Sequence, residues 1–274
     1  MISNVSNTGC LGRPHDSRKV AEAFSRAADS YDSNARIQRL ALKECVQLLS
    51  RRLAAGSNVL DVGCGTGYLA HLMPGRDWNL TGIDASYGMC EKAASRMPVV
   101  NANGEALPFA EGAFHGAICS LVLQWANEPR VVLEEMARVV APGGSCGLVV
   151  LGPETLRELK QAFTAIDDHA HVNDFMPSQQ FDATLEAAGF TVIEGQENAI
   201  SLDCASVQAL MDEIKGIGAN HVPARRQGLT TPSMLARLEA AYPRHGDGIA
   251  ATWDLIYRIV ERRACSKHDS TGRR

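Results

Sequence analysis

The segment Asp61-Val62-Gly63-Cys64-Gly65-Thr66-Gly67 follows a short apolar run and sets three glycines at alternate positions. Glycine there lets the backbone turn sharply from strand to helix and approach a ligand closely. The spacing also fits a plain strand-to-helix turn and lies close to the GxGxxG of dinucleotide loops, so alone it names no ligand. Asp84 ends a second apolar run, about twenty residues beyond the glycines, where an α/β sheet sets a carboxylate against ribose hydroxyls. A cap for the helix that follows is the alternative role. A third segment, Asn103-Gly104-Glu105-Ala106-Leu107-Pro108-Phe109, can present Asn103 and the Gly104 N–H to an adenine edge. Ser120-Leu121 and Leu123-Gln124-Trp125 close a further apolar run, and Trp125 would serve as well in a core.

These residues need a scaffold that delivers them to one edge. From residue 58 the apolar periodicity alternates between strand and helix. Strands are predicted at 58–62, 79–83, 99–101, 113–120 and 145–151, with helices at 68–73, 87–96 and 129–140 between them. Residues 141–144 (Ala-Pro-Gly-Gly) close the last helix. Later helices are predicted at 154–166, 178–188, 207–217 and 233–242, and strands at 190–200 and 249–260. Ahead of the glycine loop, 19–53 reads as two helices separated by the breaker cluster 29–33. The order implies a doubly wound, mostly parallel sheet of seven strands. It forms one domain over 19–263 with a helical insertion at about 201–248. Residues 1–18 and 264–274 read as flexible tails.

Composition restricts the function. With 45% hydrophobic and 21% charged residues among 274, a core of ordinary size can form. A formal charge of −4 excludes binding to nucleic acid through bulk positive charge but leaves room for a local basic patch. No apolar run reaches the ~18 residues of a membrane span, and the N-terminus lacks a signal-peptide core, so a cytoplasmic enzyme is expected. The eight cysteines are scattered without a CxxC pair and read as small buried thiols, with no metal site expected.

Taken together, Asp61–Gly67 as DxGxGxG, Asp84 and the Ala102–Phe109 loop resemble the class I methyltransferases; Asn103 stands where Asp is usual. That resemblance implies S-adenosylmethionine as cofactor, since a sulfonium donor has no pyrophosphate to cradle. Outside these motifs the chain is similar to the malonyl-[acyl-carrier protein] O-methyltransferase family of biotin synthesis. The segments that carry this are Ala23–Asp32 (AFSRAADSYD), LQWAN at 123–127 and LGPETLREL at 151–159. HVNDF at 171–175, LMDEIKGIGAN at 210–220 and RQGLT at 226–230 continue it. The order Asn220-His221 departs from the family's His-before-Asn.

The resemblance implies methylation of the free carboxylate of a malonyl thioester on an acidic acyl carrier protein. A carboxylate, with a reference pKa near 4, needs no general base; it needs alignment and exclusion of water. The cofactor-binding set implied is Tyr31, Asp61, Gly63, Cys64, Gly65, Gly67, Asp84, Ala85, Met89, Asn103, Gly104, Glu105, Ser120 and Leu121. Tyr31, Gln124 and His171 are candidates to face the acceptor, with His221 a further polar candidate. Arg225 and Arg226 are candidates for its carboxylate, because a guanidinium fork matches one; as a pair they would also suit solvated surface. Tyr31 rests on an N-terminal helix expected to close over the cofactor. Lys215, Arg225, Arg226, Arg237 and Arg244 are candidates for docking the carrier, interspersed with Asp212, Glu213 and Glu239. A monomer is expected. A small free acid or a quinone-type ring carbon is the alternative acceptor, and a non-catalytic binding module the alternative class.

Overall fold

A computed structural model describes residues 16–73, 78–169, 171–218 and 231–264. The chain opens on α1 (Ser17–Asn34), capped by Asp16, whose carboxylate accepts the Lys19 N–H at 3.3 Å. Ser17 and Arg18, expected in a tail, are therefore helical. The break before α2 (Arg36–Leu49) falls at Ala35 and not in the breaker cluster 29–33. Propensity loses there to long-range contacts. Asp29 pairs with Lys92 at 2.5 Å, the Ser30 hydroxyl donates to Gly216 O at 3.0 Å, and Asp32 accepts from Thr66 and Arg96.

Next come β1 (Asn58–Val62), α3 (Tyr68–His71), β2 (Asn79–Asp84), α4 (Tyr87–Ala93), β3 (Val99–Asn101) and β4 (Phe114–Ser120). A 3-10 turn (Leu123–Trp125), α5 (Pro129–Val139) and β5 (Val140–Leu151) follow. The Ala-Pro-Gly-Gly segment lies inside β5, whose pairing with β4 jumps from Phe114↔Val140 to Gly116↔Ser145. That irregularity absorbs residues expected as a loop. The chain finishes with α6 (Arg157–Thr164), α7 (Ser178–Ala187), β6 (Phe190–Cys204), α8 (Val207–Gly216), α9 (Pro232–Ala241), β7 (Arg244–His245) and β8 (Gly248–Arg262). α6 starts three residues late because Leu156 is left-handed, at φ 55°.

The sheet runs β3-β2-β1-β4-β5-β8-β6, with two-residue β7 added beside β8. Strands β1 to β5 pair in parallel, and β8 lies antiparallel to both β5 and β6. The order reverses between β1 and β4, and ligands bind at such a switch point, off the carboxyl ends of the strands. Successive strand residues face opposite sides. Val59, Ile118, Val149 and Tyr257 pack against Ile37, Ala41 and Cys45 of α2. Leu60, Cys119, Leu148 and Ile256 pack against Leu133 and Met136 of α5 and Phe181 of α7. Burial of one such large side chain contributes about 1.5–3 kcal/mol. Among the described residues no helix is long and apolar enough to cross a membrane.

Helix α1 reaches the switch point by lying on α4. Ser25 Oγ and Ser86 Oγ are 2.8 Å apart, and Gly88 N–H donates to Ser25 Oγ at 3.2 Å. A Cβ at Gly88 would stand 2.8 Å from Ser25 O and 3.0 Å from its Cα. Gly88→Val should therefore lift α1, with about 1–3 kcal/mol of overpacking strain. Hydrogen exchange should show residues 17–34 losing protection about tenfold or more while β1 and β4 keep theirs; equal loss across the sheet would contradict this packing role.

Candidate functional site

At the carboxyl end of β1 the chain turns on Gly63, Gly65 and Gly67, all left-handed at φ 70°, 53° and 81°. Gly63 has a second reason to be glycine: a Cβ there would lie 2.4 Å from Val122 Cγ2. Gly63 N–H and Cys64 N–H both donate to Ile83 O, at 2.8 and 2.9 Å, and Gly67 N–H donates to Cys64 O. Gly65 N–H donates to Asp84 Oδ2 at 2.9 Å, while Asp84 Oδ1 accepts Ser86 N–H at 2.8 Å. Ser86, not Asp84, caps α4. Each Asp84 oxygen thus holds one backbone amide and keeps lone-pair capacity for a ligand. Burial pushes the Asp84 carboxyl up, opposed by those two amides.

Behind Gly63 lies Asp61, 4% exposed. Burial, and then the neighbouring Asp84, push its carboxyl up to about 7. Tyr31 of α1 reaches in from above. Burial and the charges of Asp84, Asp32 and Asp61 push its phenol up, so it stays protonated as a donor. Asp32 fastens α1 to the loop: Thr66 Oγ1 donates to Asp32 Oδ1 at 2.6 Å and Arg96 Nη2 to Oδ2 at 3.1 Å. Arg96 also donates to Thr66 O at 3.1 Å. This clamp escaped the sequence reading, because nothing in the spacing of Asp32, Thr66 and Arg96 announces it.

One cavity of about 1700 Å³ opens here. Toward the glycine loop it is lined by Tyr31, Gly63, Gly65, Asp84, Ala85, Met89, Asn103, Gly104, Glu105, Ser120, Leu121 and Gln124. Asp61, Cys64 and Gly67 do not line it. The Cys64 side chain packs with Ala93 and Met97, and Gly67 precedes α3. Asn103 Oδ1 accepts Glu105 N–H at 3.0 Å, and Glu105 Oε1 accepts Asn127 and Glu128 N–H, so both residues also hold their own loop in shape. Trp125 lines the cavity, edge-on to Phe24 at 5.4 Å, and is not core.

Leu121 is left-handed at φ 57°, a strained state for a branched residue that marks functional loops. Its carbonyl accepts Gln124 Nε2 at 2.9 Å. Gln124 Oε1, Ser120 Oγ and Gln38 Oε1 are closed to solvent beside the cavity and have no hydrogen-bond partner among the described residues. Gln38 had no sequence signal beyond its place on an apolar helix.

Toward α6, α8 and α9 the cavity becomes apolar, lined by Leu156, Phe163, Ile166, Met211, Met234 and Trp253. His171 lies in this wall. Its Nε2 is 2.8 Å from Asp167 Oδ1, and its ring stacks on Phe163 at 3.7 Å and 7°. The His171 hydrogen bond, then the His169 N–H, hold the Asp167 carboxyl below its usual range. Lys215 and Arg237 also line the cavity. Arg244 faces Glu239 at 3.9 Å instead. Arg225, Arg226, Asn220 and His221 lie outside the described residues.

The glycine-loop end fits a cation better than a diphosphate. A pyrophosphate needs free N–H groups, and those of Gly63, Cys64, Gly65 and Gly67 are already spent on Ile83 O, Asp84 and Cys64 O. A cationic sulfonium ligand would instead find the carboxylates of Asp84 and Glu105 in the cavity lining. Among the described residues no group of His, Cys, Asp or Glu could hold a metal ion.

Comparison with known proteins agrees with this geometry. A family model described as a methyltransferase domain matches residues 60–148. The malonyl-[acyl-carrier protein] O-methyltransferase of Pseudescherichia vulneris is 35% identical over 250 residues, covering 89% of this chain and 97% of that one. The biotin biosynthesis bifunctional protein BioHC of Teredinibacter turnerae is 34% identical over 261 residues and 88% of this chain, which spans only 46% of that longer protein. Among solved structures, the YcgJ protein from Bacillus subtilis superposes with a TM-score of 0.54 at 20% identity, over 81% of this chain and 99% of that one. The fold is the Rossmann-like one of class I methyltransferases.

The raised Asp61 carboxyl carries a stability cost with a definite sign. Unfolded, the group ionises near 3.8; folded, near 7. Between those values the unfolded chain gives up its proton first, so stability falls as pH rises from about 4 to 7 and is flat above. Asp61→Asn should therefore raise the melting temperature of the ligand-free protein at pH 8 and leave it little changed at pH 4. An equal shift at both would show that the site does not hold a proton.

Proposed function

This chain belongs to the malonyl-[acyl-carrier protein] O-methyltransferase family, and we propose that it transfers a methyl group to the free carboxylate of a malonyl thioester on an acyl carrier protein. It is a methyltransferase whose cofactor is S-adenosylmethionine. The observation that carries the reading of the acceptor is the single cavity that joins the glycine loop and Asp84 to an apolar chamber holding His171.

When bound, S-adenosylmethionine supplies an electrophilic methyl group, and its sulfur keeps the bonding pair as the acceptor oxygen takes the methyl. The protein's residues do the rest. Asp84, Asn103 and Met89, which line the cavity beside the glycine loop, would hold the donor, and Tyr31, Phe24 and Trp125 would cover it against water. A carboxylate is ionised at neutral pH, so none of these groups has to accept a proton. Orientation alone can supply about 7–11 kcal/mol of the barrier. His171, fixed by Asp167, can donate through Nδ1 to a carboxylate when it is protonated. Lys215 and Arg237 offer positive charge where a substrate arm from an acidic partner would enter. Arg225 and Arg226 remain candidates for the same carboxylate. The free thiols Cys45, Cys64, Cys90, Cys119, Cys146 and Cys204 suit a reducing, cytoplasmic setting.

The His171–Asp167 pair is also the one observation that favours a second reading, methylation of a ring carbon, because that chemistry must lose a proton. One assay separates the two. Malonyl carrier protein, incubated with enzyme and S-adenosylmethionine, should gain one methyl group that an esterase removes. In the same assay His171→Asn should raise KM about tenfold, the loss of one charge-assisted hydrogen bond, and leave kcat nearly unchanged. No mass gain on the carrier, with a quinone precursor methylated and that activity abolished in the variant, would overturn the carboxyl reading.

A further inference from the structure

Strands β5 and β8 stop pairing at Leu151↔Leu255, so β5 gives Asp254 and Thr252 of β8 no partners. The segment 152–158 that follows β5 supplies them instead, partly with side chains. Gly152 N–H donates to Asp254 O at 2.8 Å, and Leu156 N–H to Thr252 O at 2.7 Å. The two N–H groups of β8 meet no carbonyl. Asp254 N–H donates to Thr155 Oγ1 at 3.2 Å, and Thr252 N–H to Glu158 Oε2 at 3.1 Å. Thr155 Oγ1 also donates to Asp254 O at 3.2 Å, and Thr252 Oγ1 donates to Glu158 Oε1. Asp254 Oδ2 accepts Glu154 N–H at 3.2 Å. A Cβ at Gly152 would stand 2.3 Å from that oxygen, which accounts for the glycine. Thr155 is wholly buried and Thr252 is 4% exposed, so an N–H left unpaired here is costly. The LGPETLREL segment, which carried the resemblance outside the donor motifs, thus has a physical task.

These bonds lie behind the apolar chamber. Leu156 and Trp253 line the cavity, and Trp253 stands between Thr252 and Asp254 in β8. Leu156 is left-handed at φ 55°, a state that a leucine keeps only where its surroundings impose it. Its own N–H bond and the fastened side chains of Thr155 and Glu158 on either side impose it here. We infer that Thr155 and Glu158 are positioning residues for methyl transfer: they fix Leu156 and Trp253 as a wall of the chamber and so set where the acceptor lies. Neither lines the cavity; both act through their neighbours. The glycine-loop end is held by other contacts, those of Asp84 and Asp32. Loosening this wall therefore disturbs the acceptor and leaves donor binding alone.

This inference rests on the reading of the chamber as the acceptor's place, and one set of variants separates the two. Three quantities are measured on the full chain: kcat/KM for malonyl carrier protein, calorimetric affinity for S-adenosylmethionine, and Trp253 fluorescence as the difference from Trp253→Phe. Thr155→Val keeps the shape of the side chain but leaves Asp254 N–H without its acceptor. It should lower kcat/KM about tenfold, because small misplacements of a reactant are costly, shift the Trp253 emission, and keep donor affinity within about twofold. Thr155→Ser keeps the hydroxyl and should restore all three. Glu158→Ala should behave like Thr155→Val. Glu158→Gln, whose amide can accept Thr252 N–H and donate to Thr252 Oγ1, should behave like the unaltered chain. Asp182→Asn weakens the pairing with Arg258 on the same strand, at 2.6 and 3.1 Å, away from the cavity. It should lower the melting temperature and keep kcat/KM. Should Thr155→Val fail to fold, the Glu158 variants decide. Unchanged kcat/KM and emission in Thr155→Val, an equal loss in Asp182→Asn, or a fall in donor affinity as large as that in kcat/KM overturns the proposal and leaves the acceptor reading intact. No methylation of the carrier by the unaltered chain, with the donor still bound, overturns both.

Discussion

The carboxylate of Asp84 is the point through which the rest of the site is held. One oxygen takes the Gly65 N–H and so fixes the glycine loop after β1; the other takes the Ser86 N–H and so fixes the start of α4. Ser86, positioned in this way, caps α4 and meets Ser25 of α1 with its hydroxyl. Helix α1 is then clamped a second time through Asp32, Thr66 and Arg96. A single half-buried acid thus connects two adjacent strand ends to the helix that covers them. A hydrogen bond to an ionised group is about twice as strong as a neutral one, which suits a residue that has to hold two loops at once.

That arrangement also selects the kind of ligand. Backbone N–H groups in a glycine loop are the usual means of holding phosphate, and here the ones after β1 are engaged within the protein. What lines this end instead is negative or aromatic: Asp84, Glu105, Phe24, Tyr31 and Trp125. The same fold that holds dinucleotides elsewhere is turned toward a sulfonium by changing which partners the amides have. The chamber beyond, between α6, α8 and α9, is apolar and holds His171, so the two ends of the cavity are built from different elements.

Much of this was legible in the sequence because the central parallel strands β1 and β4 are largely buried. Asn58–Val62 and Phe114–Ser120 read as short apolar runs that stop at turn residues, and their ends are where the site residues lie. The DxGxGxG loop was legible for the same local reason: left-handed backbone asks for glycine. What escaped depends on contacts between distant segments. The continuity of α1 through 29–33 is decided by Lys92, Arg96, Thr66 and Gly216, none of them near in sequence. The left-handed Leu121 and Leu156 have no composition signal at all. His171 stood out only through the family resemblance. Its partners Asp167 and Phe163 lie four and eight residues earlier, but no periodicity marks them as a stacked set.

Asp84 shapes the crevice by holding Gly65 and Ser86, and a donor bound there would depend on it. Asp84→Asn keeps the size of the side chain but turns one acceptor oxygen into a donor that opposes a backbone N–H. Calorimetric titration of S-adenosylmethionine into the unaltered chain should show one site per chain, and into Asp84→Asn a loss of affinity of about a hundredfold or more, the cost of a buried charged acceptor. Equal affinity for the two proteins would contradict the assignment of this crevice as the donor site.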